Sequence, residues 1–128
     1  MNTSMPAALR PHYFHEIASA RREFAGRNYL TSWRHLERAH IIGQPYPVAH
    51  TAVHLRMLWF GIRLKKLWEI VGQIPRLIFG GVKSFVGRIP VGNTGGADVS
   101  ALKPMPIPAD LAAIIASAGR TPPTALYQ

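Results

Sequence analysis

Histidines and one carboxylate are concentrated in a short stretch of this sequence, residues 33–57. Glu37 and His40 are spaced as E-x-x-H, and His50 and His54 are spaced as H-x3-H. Residues three or four positions apart lie on one side of a helix, so each pair projects together from its own helix. If the two helices pack side by side, Glu37, His40, His50 and His54 converge on one pocket.

Three imidazoles and one carboxylate form a ligand set that suits a divalent transition metal, namely Fe, Zn, Cu, Ni or Co. Helix-borne E-x-x-H is the ligand unit of the di-iron sites in helical bundles, where it occurs twice. Here the neighbouring helix supplies two histidines instead. The chain contains no cysteine, which excludes thiolate zinc sites and iron–sulfur clusters. The sequence therefore predicts a metal site built from Glu37, His40, His50 and His54. Non-covalent haem with histidine ligation stays open, although no motif supports it.

The same residues also allow a purely structural interpretation. Histidines at helix contacts often hydrogen-bond a carboxylate or a backbone carbonyl, and Glu37 can pair with Arg34, Arg38 or His40 on its own helix. His35 lies five residues before His40, well round the helix, and is a poorer ligand candidate. The spacing alone leaves a metal site and structural polar contacts both open.

Two further segments could contribute to a site. The first predicted helix carries His12, His15 and Glu16, and the outer two have i,i+4 spacing, but a pair so near the start of a chain is more often solvated. The glycine-rich segment from Gly92 to Gly96 could direct backbone N–H groups toward an anion. It has neither a P-loop nor a dinucleotide fingerprint, so we favour a tight turn that needs a positive φ at glycine. No serine lies in a nucleophile motif such as G-x-S-x-G.

Helical periodicity supplies the elements that must position these residues. Apolar side chains recur every three or four positions through the first half of the chain, and glycines and prolines set the ends of each run. The turn between the second and third helices is short, which favours antiparallel neighbours. The three tryptophans, Trp33, Trp59 and Trp68, fall at core or boundary spacing and are predicted to be packing groups rather than platforms for base stacking. The predicted helices cover residues 11–25, 29–42 and 48 to about 70, a short helix from Pro75, and about 108–119.

The second helix and its exit resemble the back half of a tetratricopeptide-type hairpin. The first helix fits that pattern poorly, and no repeat of about 34 residues follows. Residues 88–108 are interrupted by glycine and proline and cannot form an ordinary helix. The residues that match the hairpin's aromatic, small, large, small and proline positions are Tyr29, Ser32, Leu36, Ala39 and Pro45.

These patterns predict an all-α fold in one domain over residues 1–128. We expect a small helical bundle of four to five helices built on a tetratricopeptide-like hairpin, with a long irregular Gly/Pro-rich segment before the last helix. Residues 1–10 and 120–128 are expected to be loose ends. The composition is globular, with 48% hydrophobic and 16% charged residues. No secretory signal or apolar run long enough for a transmembrane segment is present, so we expect a cytoplasmic protein.

The net charge of +9 supports a competing interpretation. A strongly basic protein favours anionic partners. On this view the chain is a non-enzymatic helical interaction module whose basic face binds nucleic acid, a membrane surface or an acidic protein. The predicted basic face consists of Arg56, Arg63, Lys65 and Lys66 on the third helix, joined in binding the partner by Arg76 and Lys83.

Several separated segments carry a family resemblance. They are HLERAHIIGQ, the H-x3-H pair that follows, PVGNTGG and KPMPIPADL. Together they resemble a small bacterial family of unknown function, over roughly residues 10–116. The resemblance implies a compact single-domain protein and supplies no activity, substrate or catalytic residue, so the function has to be inferred from the residues themselves.

Overall fold

A computed structural model describes residues 4–86, 94–96 and 105–118. In this part of the chain the protein is all-α, without strands, which confirms the predicted fold class. No helix within these described residues is long and apolar enough to cross a lipid bilayer. The described part of the chain forms five helices, namely α1 Arg10–Ala25, α2 Tyr29–Gly43, α3 Pro47–Arg63, α4 Leu67–Val86 and α5 Ala109–Ser117.

Helices α1 and α2 form an antiparallel hairpin. Near their shared turn, the Ser32 hydroxyl donates to the Ala20 carbonyl oxygen at 2.7 Å. At the far end, a Cβ added to Gly43 would lie 3.0 Å from the Tyr13 ring, so the end of α2 lies directly against the start of α1. Two contacts at opposite ends of the pair fix the antiparallel direction.

Helices α3 and α4 continue this antiparallel arrangement, so that successive helices run in opposite directions. The Trp33 and Phe60 rings, with centroids 5.0 Å apart, join the start of α2 to the end of α3. Gly61, near the end of α3, lies against Ile70, near the start of α4. The first four helices therefore run up and down in sequence, which brings the end of α2, the first half of α3 and the middle of α4 to one level of the bundle.

The hydrophobic core lies between these helices, and α5 closes one side of it. Leu111 of α5 is fully buried. Two residues of the predicted loose start, Met5 and Leu9, are also buried in this core. The other central residues include Tyr13, Ile17, Leu36, Ala39, Ile42, Tyr46, Val53, Met57 and Phe60.

The third helix is shorter than predicted. It was expected to run from Val48 to about Ile70, but α3 ends at Arg63. The Lys66 N–H donates to the Gly61 carbonyl at 2.8 Å, and Lys65 takes a φ of +56°. This is the Schellman arrangement that ends helices, which usually has glycine at the left-handed position. With lysine in that position the sequence gives no stop signal.

The fourth helix therefore begins earlier than predicted. The prediction of a short helix starting at Pro75 is wrong, because Pro75 lies inside α4, which begins at Leu67. Of the predicted irregular segment, residues 94–96 and 105–108 are described and are not helical. The rest of residues 88–108, and the predicted loose end at 120–128, lie outside the described residues.

Candidate metal centre

Three imidazole nitrogens meet in the interior between α2 and α3. The Nε2 atom of His40 lies 3.0 Å from that of His50 and 3.1 Å from that of His54. The third side of the triangle, between His50 and His54, is 3.0 Å. All three side chains are buried, with exposed fractions of 2%, 8% and 2% for His40, His50 and His54. We call this group the histidine triangle.

The turn between α2 and α3 creates the triangle. His40 lies in the last turn of α2, and His50 and His54 lie one helical turn apart on α3. α3 starts at Pro47, only four residues after α2 ends at Gly43. Proline is well suited to the first position of a helix, because its missing N–H costs no hydrogen bond there. The short connection holds the end of α2 next to the start of α3, as the sequence predicted.

A contact from α1 holds the start of α3 in place. The Tyr13 hydroxyl donates to the Ala49 carbonyl oxygen at 2.9 Å, next to His50 in the chain. Burial raises the pKa of Tyr13 to about 12, although the positive charge of Arg56 acts in the opposite direction. The phenol therefore stays protonated and keeps donating at neutral pH.

Hydrogen bonds among the three nitrogens cannot satisfy the triangle. Each Nε2 is either an N–H donor or a lone-pair acceptor, and its single proton or lone pair points along one direction. Whichever tautomers are chosen, at least one of the three contacts brings together two protons or two lone pairs. Unsatisfied polar contacts of this kind are unfavourable in a buried site. A cation bound beside the triangle would accept the lone pairs of all three Nε2 atoms and so remove the unfavourable contacts between them.

Gln73 on α4 sets the tautomer of His54. Its Oε1 atom lies 2.6 Å from Nδ1 of His54. The orientation of the amide follows from its other end, because Nε2 donates to the Gly95 carbonyl oxygen at 2.9 Å and to a Glu69 carboxylate oxygen at 3.1 Å. Nδ1 of His54 must then carry the proton, and Nε2 presents its lone pair to the triangle. Metal-binding histidines are typically held in this way by a hydrogen bond at the other ring nitrogen.

The surroundings keep His54 neutral. Burial, opposed by the hydrogen bond to Gln73 and assisted by the positive charge of Arg76, lowers the pKa of His54 from 6.5 to about 4. Only the neutral imidazole can bind a metal ion. His54 is therefore in its metal-binding form throughout the physiological pH range.

Gly95 covers the triangle from the segment before α5. Its φ is +83°, which confirms the predicted positive φ at a glycine of this segment. A Cβ at this position would lie 2.6 Å from Cδ2 and 2.8 Å from Nε2 of His40. Glycine is required here both by the backbone conformation and by the contact with the ring. Gly92 and Asn93 of this glycine-rich segment lie outside the described residues.

The structure brings together three of the four predicted ligands. A Glu37 carboxylate oxygen lies 3.8 Å from Nη1 of Arg34, on the same helix, and Glu37 is outside the group formed by the histidines. Within the described residues, the histidine triangle is the single group of three or more histidine or acidic side chains arranged to hold a metal ion. Gln73 was not among the residues predicted for the site, although an isolated amide in an otherwise apolar stretch of sequence is a signal that could have identified it.

A second buried polar group lies between α1, α2 and α5. Glu16, with 6% of its surface exposed, accepts hydrogen bonds from Nδ1 of His35 at 2.6 Å and Nε of Arg38 at 2.9 Å. Arg38 also donates to both carboxylate oxygens of Asp110. These bonds raise the pKa of Arg38 and lower that of Asp110. Glu16, one of the residues considered for the metal site, thus has a structural role in what we call the glutamate cluster.

Comparison with known proteins identifies a family that the chain matches. A family model described as a protein of unknown function, DUF3703, matches residues 7–115. No curated protein and no solved structure matches the chain.

Proposed function

The chain belongs to this family of unknown function, and we propose that it binds one divalent transition-metal ion through Nε2 of His40, His50 and His54. The observation that supports the proposal most directly is the convergence of three buried ring nitrogens whose mutual contacts no arrangement of protons can satisfy. The tautomer of His54 supports it independently, because Gln73 directs the lone pair of that ring into the triangle.

The nitrogen–nitrogen distances of the triangle match the spacing of three ligand atoms on one face of a metal coordination polyhedron. With metal–nitrogen bonds of about 2.0–2.1 Å, ligand atoms lie about 3.3 Å apart around a tetrahedral ion and about 2.9 Å apart on an octahedral face. The observed separations of 3.0–3.1 Å lie between these values. Either geometry leaves at least one coordination position for water or another ligand, as in catalytic rather than closed structural sites.

The donor set narrows the choice of metal. Three neutral imidazoles without thiolate favour Zn, Cu, Fe, Ni or Co over the oxygen-preferring Mg and Ca. Glu37 would have to leave Arg34 to become a fourth ligand, so we propose that water completes the coordination. No carboxylate belongs to the triangle, and metal binding, rather than a particular reaction, is what these side chains support.

Metal analysis of protein purified without a histidine tag tests the proposal. We expect about one equivalent of metal after incubation with Zn²⁺ or Co²⁺ and gel filtration, since buried sites of this type bind tightly. His50→Ala and His54→Ala should each reduce uptake below about a tenth of an equivalent. The matched controls are His12→Ala and His15→Ala, which remove exposed histidines from α1 and should leave uptake unchanged.

Two measurements distinguish a site of three histidines and water from a site in which Glu37 is the fourth ligand. Glu37→Gln should retain full uptake if three histidines and water suffice, and should lose it if the carboxylate is a ligand. The absorption bands of the Co²⁺ form report the coordination number. Absence of uptake by the unmodified protein for all five metals would contradict the proposal.

A further inference from the structure

The turn between α3 and α4 exposes apolar and cationic side chains together. Six of the seven residues from Ile62 to Trp68 are exposed, with Leu64 the exception. Ile62 is 55% exposed, and Leu67 and Trp68 are each 71% exposed. The cations Arg63, Lys65 and Lys66 lie among them. We call residues 62–68 the basic corner.

Exposed apolar side chains continue from the corner along both helices. On α4, Val71 and Ile74 follow Leu67 at one and two helical turns and are 55% and 47% exposed. On α3, Trp59 is 50% exposed and lies 5.4 Å under the guanidinium of Arg63. Trp59 and Trp68, predicted to be packing groups at core or boundary positions, thus each have half or more of their surface exposed. Exposed apolar side chains grouped around one corner in this way mark an interaction site.

The charges of the corner indicate what this surface binds. A symmetric contact between two copies would place Arg63, Lys65 and Lys66 against their own equivalents, which is unfavourable. Glu69, the nearest acid along the chain, is engaged by Gln73. An anionic partner is therefore favoured over a second copy.

The apolar side chains distinguish between anionic partners. A nucleic-acid backbone offers phosphates but nothing to cover a row of aliphatic side chains such as Leu67, Val71 and Ile74. An anionic lipid surface offers both phosphates and an apolar layer beneath them. Tryptophan at the boundary and lysine at the level of the phosphates are typical of proteins that bind such surfaces.

We propose that the basic corner and the exposed stripe of α4 bind an anionic lipid surface. Ile62, Leu67 and Trp68 enter the headgroup region, and Arg63, Lys65 and Lys66 contact lipid phosphates. The two cations predicted to join the basic face differ from this group, because Arg76 is half-buried and the side chain of Lys83 lies outside the described residues. The proposal uses none of the triangle residues and stands or falls separately from metal binding.

Vesicle co-sedimentation of the full chain tests the charge requirement. We expect binding to phosphatidylcholine vesicles with about 30% phosphatidylglycerol, and at least about tenfold weaker binding to pure phosphatidylcholine. Raising salt from about 0.1 M to about 1 M shortens the screening length from about 10 Å to about 3 Å and should weaken binding similarly. Equal binding to both vesicle types, or no binding to either, would overturn the proposal.

Matched charge variants locate the site. Lys65→Glu/Lys66→Glu should weaken binding at least about tenfold. Arg21→Glu/Arg27→Glu makes the same change in net charge at exposed positions of α1 and its turn, and Arg27, with a φ of +62°, matches the left-handed conformation of Lys65. Equal weakening by both pairs would show a non-specific charge effect. Lys65→Gln/Lys66→Gln serves as a milder pair if charge reversal disturbs the circular dichroism spectrum.

A matched apolar pair tests insertion. Leu67→Ser should weaken vesicle binding severalfold, whereas Leu30→Ser, also at a leucine that is 71% exposed, should not. Brominated lipid should quench tryptophan emission, and less so in Trp68→Phe, if Trp68 enters the headgroup layer. Loss of self-association in Leu67→Ser, without any vesicle binding by the unmodified chain, would show a contact between copies instead.

Discussion

Two buried polar groups among the described residues, the glutamate cluster and the histidine triangle, differ in whether all of their internal contacts can be hydrogen bonds. In the glutamate cluster, the carboxylate of Glu16 meets a guanidinium and an imidazole, and Arg38 continues to Asp110. Every contact in it joins a donor to an acceptor. In the histidine triangle, three similar rings face one another, and their three mutual contacts cannot all be hydrogen bonds. A histidine in a helical bundle can thus belong to a network in which every contact is a hydrogen bond, or to a group whose members cannot all hydrogen-bond to one another.

Removing the centre of the complete network should have the largest effect on stability. Glu16→Ala leaves Arg38 partly buried without this partner, so we expect the free energy of unfolding to fall by about 3 kcal/mol. Metal uptake should be unchanged, because the two groups share no residue. Chemical denaturation measures the first quantity and metal analysis the second. Glu23→Ala, which loses only an exposed bond from Asn28, should cost less than about 0.5 kcal/mol. A large loss of metal in Glu16→Ala would show that the groups are coupled.

Filling the space over the triangle should be nearly as damaging. Gly95→Ala places a Cβ within 2.6–2.8 Å of the His40 ring and strains a backbone with φ +83°. We expect a loss of about 2–3 kcal/mol in stability, together with weaker metal binding, because His40 must move. Gly26→Ala is the control, since φ is −80° there and its nearest neighbour would be 3.4 Å away. Unchanged metal affinity in Gly95→Ala would show that the His40 ring is not held in place by this glycine.

Substitutions of Gln73 test whether metal binding by the triangle depends on the hydrogen bond between Nδ1 of His54 and Gln73. Gln73→Leu removes the acceptor for the Nδ1 proton of His54, and we expect metal affinity to fall about 10- to 100-fold. Gln73→Glu keeps an acceptor at the same place and should retain most of the affinity. Competition titration against a chelator of known affinity compares the two variants. Equal loss in both would mean that Gln73 acts through packing and not through the tautomer of His54.

Acid should destabilise the metal-free protein in a defined window. Because the pKa of His54 is about 4 in the folded protein and 6.5 for an unperturbed histidine, the unfolded chain binds more protons between these values. Stability is therefore full above pH 6.5 and is lost as the pH falls toward 4. The expected loss is about 1 kcal/mol between about pH 7 and about pH 5.5. Denaturation of the chelator-treated protein at both values measures it. His54→Phe should lose less over this interval, and an identical loss would assign the effect to another group.

Much of the site follows from local spacing. A helix places His50 and His54 on one side, and Gly43 and Pro47 require a turn between them and His40. These are statements about neighbouring residues, and the structure shows each of them. The Glu37 carboxylate lies on the Arg34 side of α2, outside the triangle, because the rotamer of a side chain depends on its surroundings and not on its spacing.

Other features were decided only by the tertiary structure. Lys65 ends α3 in a conformation that its residue type does not indicate, and Leu67 and Val71, which follow the break, lie on the surface. Gln73 and Gly95 come from separate parts of the chain and meet at the triangle only because α4 folds back along α3. By itself, the sequence determined which histidines could meet, since helical geometry is local. Packing between distant segments decided what surrounds them and which groups remain exposed.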